Sequence, residues 1–371
     1  MAPRLPFASP EWALNWWPAF RRAGFFARDE LQCYALRDSA DALVAVAPMF
    51  VTYRPGYGPA RTRELQFFGA DPYITEWRGL ICRPDQAEAA LAALAARLKQ
   101  DRPADFVQWR GVPAGRFARA LGEGFAPGPE MNLSVFYLEL PESWEALKRS
   151  LSRNIKESLR KCYNSLTRDG HAFTLRVVET PEAAPAALDV FFALHRGRAD
   201  ARETISHPDV FGSANSQAFL RAFCDDLARR GDLLIFQLVI ADKVVASRIG
   251  FRLGDELYMY FSGYDLEWSR YSVMTTLVAE AMQWAIAHKF RLFNLSTGSD
   301  VSKTRWRPAQ VDYCGGYEVL GGAFSRLALA ALMSLRGRQG PRKPAAPPDK
   351  APAHAPAARP EGFNEANAPA K

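Results

Sequence analysis

The sequence has no CxxC pair, and its five cysteines (Cys33, Cys82, Cys162, Cys224 and Cys314) are odd in number and scattered. No histidine stands beside them at a metal-ligand spacing, which argues against a disulfide scaffold and against a zinc site, so no metal is expected. The start, "MAPRLPFASPEWALNWW", lacks the basic segment and unbroken apolar run of a secretory signal. A cytoplasmic location is therefore expected. The one candidate membrane segment, Val319 to Leu335, is short and carries Arg326 inside it. It reads as a docked terminal helix or, with the basic "RGRQGPRK" behind it, as a helix lying against anionic lipid at the inner face of a membrane.

What is present is a chain of 371 residues, 48% hydrophobic and 12% aromatic, enough for two domains with a large core. Its net charge of +7 is concentrated. Seven Lys or Arg and one Glu fall between Lys148 and Arg168, and Arg336, Arg338, Arg342 and Lys343 follow near the end. The rest of the chain is slightly acidic, so an anionic partner meets those two places first. From about 337 to 371 the composition turns to Pro and Ala, and this basic tail is expected to be disordered.

Helical and strand patterns alternate twice before that tail. In the first half a helix near Trp12–Arg22 leads to strand-like runs at "LQCYALR", "ALVAVAPMFVTY" and "LQFFG", then to the helix "QAEAALAALAARLK" and strands "DFVQWR" and "NLSVFYLEL". The second half opens with a helix from about Trp144 to Arg168, a strand "FTLRVVE" and two helices near Pro181–Asp200 and Ser216–Arg230. Three strands in close succession, "LLIFQLVI", "KVVASRIGFRL" and "ELYMYFSGY", read as an antiparallel meander with tight turns. A long apolar helix to about His288, a strand "RLFNLS" and "DYCGGYEVL" complete the order.

That order resembles the GNAT superfamily of acyl-coenzyme A transferases, in which the loop after the fourth strand and the first turn of the next helix cradle the diphosphate of coenzyme A. The physical requirement is met by unpaired N–H groups and the positive end of a helix dipole. The superfamily signature Arg/Gln-x-x-Gly-x-Gly/Ala aligns with "RYSVMT", Arg270 to Thr275, where Val273 and Thr275 stand in place of the glycines. The junction carries Tyr264, Arg270, Tyr271, Ser272, Val273, Met274 and Thr275, and the resemblance implies that these bind the acyl-CoA.

A closer resemblance is to the FemAB-like or CelD-like acetyltransferases, associated with bacterial cellulose and exopolysaccharide loci. It rests on "SLSRNIKESLRKCYNSL", "FFALHRGRA", "SGYDLEWSRYS" and "GSDVSKTRWRP" in order, and covers about Ser143 to Tyr317. In the last phrase Ser302 stands where that branch has a tyrosine, while Lys303 and Trp306 remain. The resemblance implies an α/β (α+β) fold of tandem GNAT-like units, each a mixed, largely antiparallel sheet flanked by helices. The units expected are 1–140 and 141–336.

Three residues are candidates for chemistry. His195, on an apolar helix, is either packed or a base for an acceptor amine or hydroxyl. Asp265, after a strand end, either holds the acceptor or makes an Asx-type turn. Lys303 lies in a loop within reach of substrate or phosphate. On the basic helix Arg153, Lys156 and Arg160 share a face, either solvated or serving as a platform for phosphates, an acidic glycan or transfer RNA. Trp306 either stacks on a ring or packs.

No Ser-His-Asp or Cys-His arrangement is apparent, which suits direct transfer without a covalent enzyme intermediate. The resemblance implies movement of an acetyl or longer acyl group from acyl-CoA, as co-substrate, to an amine or hydroxyl of a sugar-linked acceptor. Peripheral contact with a membrane or a polysaccharide-synthesis complex is compatible with this. Two alternatives stay open: a Fem-type transferase drawing on aminoacyl-tRNA, the one case in which nucleic acid is a partner, and a non-catalytic scaffold.

Overall fold

The computed structural model describes residues 3–338 apart from 60, 72, 115–120, 122–124 and 200–207. The Pro/Ala-rich segment from 339 onward and His207 lie outside the described residues.

The first half contributes helix α1 (Pro10–Phe20), strands β1 (Arg28–Leu31), β2 (Tyr34–Arg37), β3 (Leu43–Ala47), β4 (Met49–Arg54), β5 (Thr62–Phe67) and β6 (Ile81–Cys82). Helix α2 (Ala87–Asp101) and strands β7 (Phe106–Pro113), β8 (Phe125–Pro127) and β9 (Leu133–Glu139) follow. The expected strand "ALVAVAPMFVTY" divides at Pro48, which has no N–H for a ladder, so that β3 and β4 belong to different sheets.

In the second half, helices α3 (Trp144–Ser150) and α4 (Arg153–Arg168) replace the single helix expected there. Leu151 is extended and buried, and Ser152 is extended as the N-cap of α4. Strand β10 (Phe173–Val178) and helices α5 (Ala184–Ala199) and α6 (Ala214–Arg229) lead to the meander β11 (Leu233–Ile240), β12 (Lys243–Leu253) and β13 (Glu256–Tyr264). Its first turn holds Ala241 and Asp242 both at positive φ, as a two-residue turn matched to strand twist demands. Helix α7 (Val273–Ala287), β14 (Leu292–Thr297), the short α8 (Val301–Thr304), β15 (Ala309–Val319) and α9 (Ala323–Arg338) complete the chain.

One mixed sheet runs through the molecule in the order β1-β4-β5-β7-β15-β9-β14-β13-β12-β11-β10, with β8 on β15. Two parallel pairs, β5–β7 and β13–β14, are each joined through a helix, α2 and α7, and each keeps a ladder of three residue pairs. The two halves thus repeat one motif. They also exchange strands: β9, which follows β7 in sequence, pairs with β14, whereas β15, which follows β14, pairs with β7. A boundary at 140/141 falls just after β9, inside this exchange.

Alternation along β13 sends Leu257 and Met259 into the core beneath α7, and Tyr258 and Tyr260 into the core under α5 and α6. The second core also takes Trp12 and Trp16 of α1, so the first helix of the chain packs on the second half. Trp12 lies edge-on to Phe219 and Phe223 at 4.9 and 4.8 Å.

The exchange makes a prediction. Residues 1–140 produced alone leave the β7 edge without β15, an open edge that invites pairing between chains. The fragment is expected to aggregate on size-exclusion chromatography, whereas a monodisperse fragment with native-like circular dichroism would show that β15 is dispensable to it.

Candidate active site

Strands β13 and β14 are paired only from Glu256 to Tyr258 against Leu292 to Asn294, after which they part. On its other side β13 slips in register between Arg248 and Gly250 of β12, so that the chain bulges near Tyr260 and Phe261. Arg248 fills the opening. Its Nη2 donates to Met259 O of β13 at 3.2 Å and to Leu295 O of β14 at 3.4 Å. Burial draws its pKa down to about 10, against the opposing pull of Glu76.

Glu76 comes from the first half, on the irregular segment between β5 and β6. Tyr258 donates its hydroxyl proton to Glu76 Oε2, and Ser296 Oγ donates to Oε1 at 2.9 Å. Burial lifts this carboxyl above the ordinary glutamate range, while Lys303, Tyr258, Ser296 and Arg248 pull the other way. Ser296 itself sits at φ 74°, an unusual conformation for a residue with a side chain, and its N–H is held by Asn294 Oδ1 at 2.8 Å.

Lys303 completes the cluster. Its Nζ lies 3.4 Å from Ser296 Oγ and 3.7 Å from Asp300 Oδ2, and donates to Thr297 O. Burial pushes its amine below the usual lysine value, with Glu76 opposing. Asp300 is held below the ordinary aspartate range: burial raises it, but the Ser302 hydroxyl and Lys303 outweigh that. Burial thus displaces this carboxyl and this amine toward each other, the kind of shift that marks groups able to handle a proton.

His195 is packed among Phe191, Phe211 and Phe261, with Nδ1 3.0 Å from Ser262 O of β13. Because a carbonyl only accepts, Nδ1 carries the proton and Nε2 is left as an acceptor, 4.0 Å from Asp209 Oδ1. Burial lowers its pKa, which keeps the ring neutral. The close seating of α5 depends on Gly263, where a Cβ would lie 2.4 Å from the backbone N of His195.

At the start of α7, Ser272 adopts a left-handed conformation, and its carbonyl accepts from Thr275 N at 2.8 Å and Thr276 N at 3.3 Å. Among the described residues the N–H groups of Val273 and Met274 have no backbone partner and no side-chain cap. Arg305 Nη2 donates to Thr275 Oγ1 at 2.5 Å, and its Nε is buried without a partner among the described residues. Two unbonded amides, a helix N-terminus and this guanidinium suit a phosphate group.

The side chains of the remaining sequence candidates are engaged in packing, capping or surface pairs. Asp265 accepts from Glu267 N at 3.1 Å and pairs with Lys243 at 2.6 Å, so its carboxylate caps the short turn of helix at 266–271. The Arg270 guanidinium stacks 4.6 Å from the Tyr271 ring, and Tyr271 donates to Asp169 Oδ2 at 2.9 Å. Tyr264 lies under Arg198 at 5.5 Å, and Met274 packs against the core of the second half. Val273 points into that same core. Trp306 is 2% exposed and packed there too, which leaves its ring no free face for a sugar or a base. On α4, Arg153 pairs with Glu157 at 2.8 Å and Lys156 donates to Arg149 O at 2.9 Å. Lys156 and Arg160 line a separate 470 Å³ cleft with Trp144 and Glu280.

Residues 153–306 match the family model described as an acetyltransferase (GNAT) domain. The match covers 154 of the 371 residues, all of them in the second half. Among solved structures, FemX has the same fold, with a TM-score of 0.54, 10% identity, and coverage of 83% of this chain and 91% of that one. L-PGS from Bacillus licheniformis is similar over 89% of this chain and 97% of its own at 12% identity and a TM-score of 0.47. The C-terminal domain of a putative lysylphosphatidylglycerol synthetase from Agrobacterium fabrum is similar over 82% and 88%, at 13% identity and a TM-score of 0.47. A search of curated proteins found no match.

Sequence reasoning missed Glu76, Arg248, Ser296 and Arg305. For Arg248 a signal existed, a lone charge inside the apolar strand "VVASRIGF". Glu76, in "DPYITEWRG", stands in no periodic pattern.

Arg248→Met strips the Glu76 carboxylate of a buried countercharge and is expected to cost about 3–5 kcal/mol in urea denaturation near pH 8. The folded-state pKa of Glu76 is already raised, so its protonation relieves the cost as pH falls. The loss should be smaller at about pH 5. An equal loss at both pH values would assign the whole effect to the two carbonyl contacts.

Proposed function

We propose that the protein moves an acetyl or longer acyl group from acyl-CoA directly to an amine or hydroxyl of a sugar-linked acceptor, in exopolysaccharide, cellulose or cell-envelope biosynthesis. The observation that carries this reading is the parting of β13 and β14 after Tyr258 and Asn294, with Arg248, Glu76, Ser296 and Lys303 gathered where the strands separate; the unbonded amides at the start of α7 and Arg305 on Thr275 add an anion-binding helix end.

Val273 N–H, Met274 N–H and Arg305 hold the donor's diphosphate, and the donor supplies an activated acyl thioester. Glu76 as carboxylate takes the proton of the attacking amine or hydroxyl. Arg248 and Lys303 keep positive charge where the acyl oxygen turns negative, in a site that admits little water. The acceptor's new bond to the acyl carbon forms as the carbon–sulfur bond breaks. The sugar-linked acceptor is supported by the resemblance to the FemAB-like and CelD-like branch. A Fem-type transfer from aminoacyl-tRNA would draw on the cations of α4, and there Arg153 and Lys156 are already engaged within the protein.

The test is thiol release from a panel of acyl-CoA species with amino and hydroxyl sugars. Glu76→Gln is expected to lower kcat by about 10²–10⁴-fold while leaving CoA affinity unchanged. Arg305→Ala is expected to weaken CoA binding about tenfold with kcat nearly preserved, as loss of one charged contact to phosphate predicts. Absence of any heat on titration with CoA would remove the donor assignment, and an undiminished Glu76→Gln rate would remove the base.

A further inference from the structure

A further cleft, of 530 Å³, lies against the strands of the first half on the face of the sheet opposite α2, with Tyr317 of β15 and Met333 of α9 also in its lining. Toward α2 the strands present Val51, Leu65, Val107 and Trp109. On the other face the same strands bury Thr52, Glu64, Gln66 and Gln108, all at most 4% exposed. A sheet face that served only to pack would carry apolar residues there, since buried polar groups cost free energy unless satisfied.

Four arginines line this cleft, Arg22, Arg54, Arg78 and Arg110, and Glu130 is the one carboxylate among the described lining residues. Two of them are fixed from behind by buried acids. Arg22 donates Nε to Asp29 Oδ2 and Nη2 to Oδ1, each at 3.0 Å, and Arg54 Nη1 donates to Glu64 Oε2 at 2.5 Å. A guanidinium has five N–H donors and a carboxylate anchor takes at most two, so Arg22 and Arg54 keep donors for the cleft. Gln66 is oriented by its bond to Thr52 Oγ1 and Gln108 by its bond to Tyr317 OH, both at 2.7 Å. Anchored forks around a polar floor are built to receive a planar or tetrahedral oxyanion. The volume lies in the range of small-molecule sites.

The cleft also has a place in the repeated motif. It lies where β5 and β7 lose their pairing after Gln66 and Gln108, the counterpart of the opening between β13 and β14. We propose that this cleft is a second ligand site, which binds a small molecule through a carboxylate or phosphate group. The assignment is independent of the donor and acceptor read above.

Isothermal titration of the full chain with glucuronate, glucose 1-phosphate, inorganic phosphate and uncharged glucose tests it. At least one acidic probe is expected to bind saturably, with affinity that falls as salt rises, while glucose does not. Glucuronate alone identifies a carboxylate ligand, and either phosphate alone a phosphorylated one. Arg78→Gln and Arg54→Lys are each expected to weaken binding about tenfold, the second because an ammonium cannot reproduce the fork. Arg229→Gln, an exposed pair partner of Asp225, should leave it unchanged. Circular dichroism verifies that each variant folds. No saturable binding of any acidic probe, equal binding of glucose, or binding indifferent to both substitutions overturns the proposal.

Discussion

The parting of two parallel strands after three residue pairs is the constraint on which the rest of the structure turns. Beyond Tyr258 and Asn294 the backbone groups facing the gap lose their natural partners and must find others. Arg248 meets part of that demand by bridging Met259 O and Leu295 O, and in doing so it brings a full positive charge into the core. A buried charge of this kind persists only with compensation nearby. Glu76 provides it, and the same carboxylate then faces Ser296 and Lys303. The cluster is therefore a structural solution and a chemical opportunity at once.

The compensation comes from the other half of the chain. Segment 74–79 runs between the two halves, tied to β13 by the Tyr260 hydroxyl donating to Ile74 O. Successive side chains leave it in different directions: Glu76 toward the parted strands, Trp77 toward a 520 Å³ cavity lined by Leu5, Phe223 and Tyr313, and Arg78 toward the arginine-lined cleft. One stretch without regular hydrogen bonds thus places residues at the parted strands and at two separate clefts.

How much of this was legible in the sequence follows from range. The meander, α7 and the helical character of α4 were readable, because each depends on a local period of two or of 3.6 residues. The start of α7 beside the end of the meander was readable too, because the polar loop there gives way to a long apolar run. The break at Leu151 and Ser152 was not, since Leu151 leaves the helix to reach a tertiary pocket. Trp306 and Asp265 stood beside informative motifs, yet their side chains are used for packing and capping. Glu76 acts through Ser296, 220 positions away. No single-sequence pattern encodes such a distance, and the strand exchange that brings the two halves together was equally hidden.

That exchange bears on how the polypeptide acquires its shape during synthesis. The β7 edge stays bare until β15, ending at Val319, has been made. The first half thus leaves the ribosome long before its last neighbour exists, and final zipping of the central sheet is a late, non-local event. Chains of this kind pass through a window in which a sticky ribbon is exposed, and their yield in the cell depends on how quickly translation closes it or on chaperones that shield it.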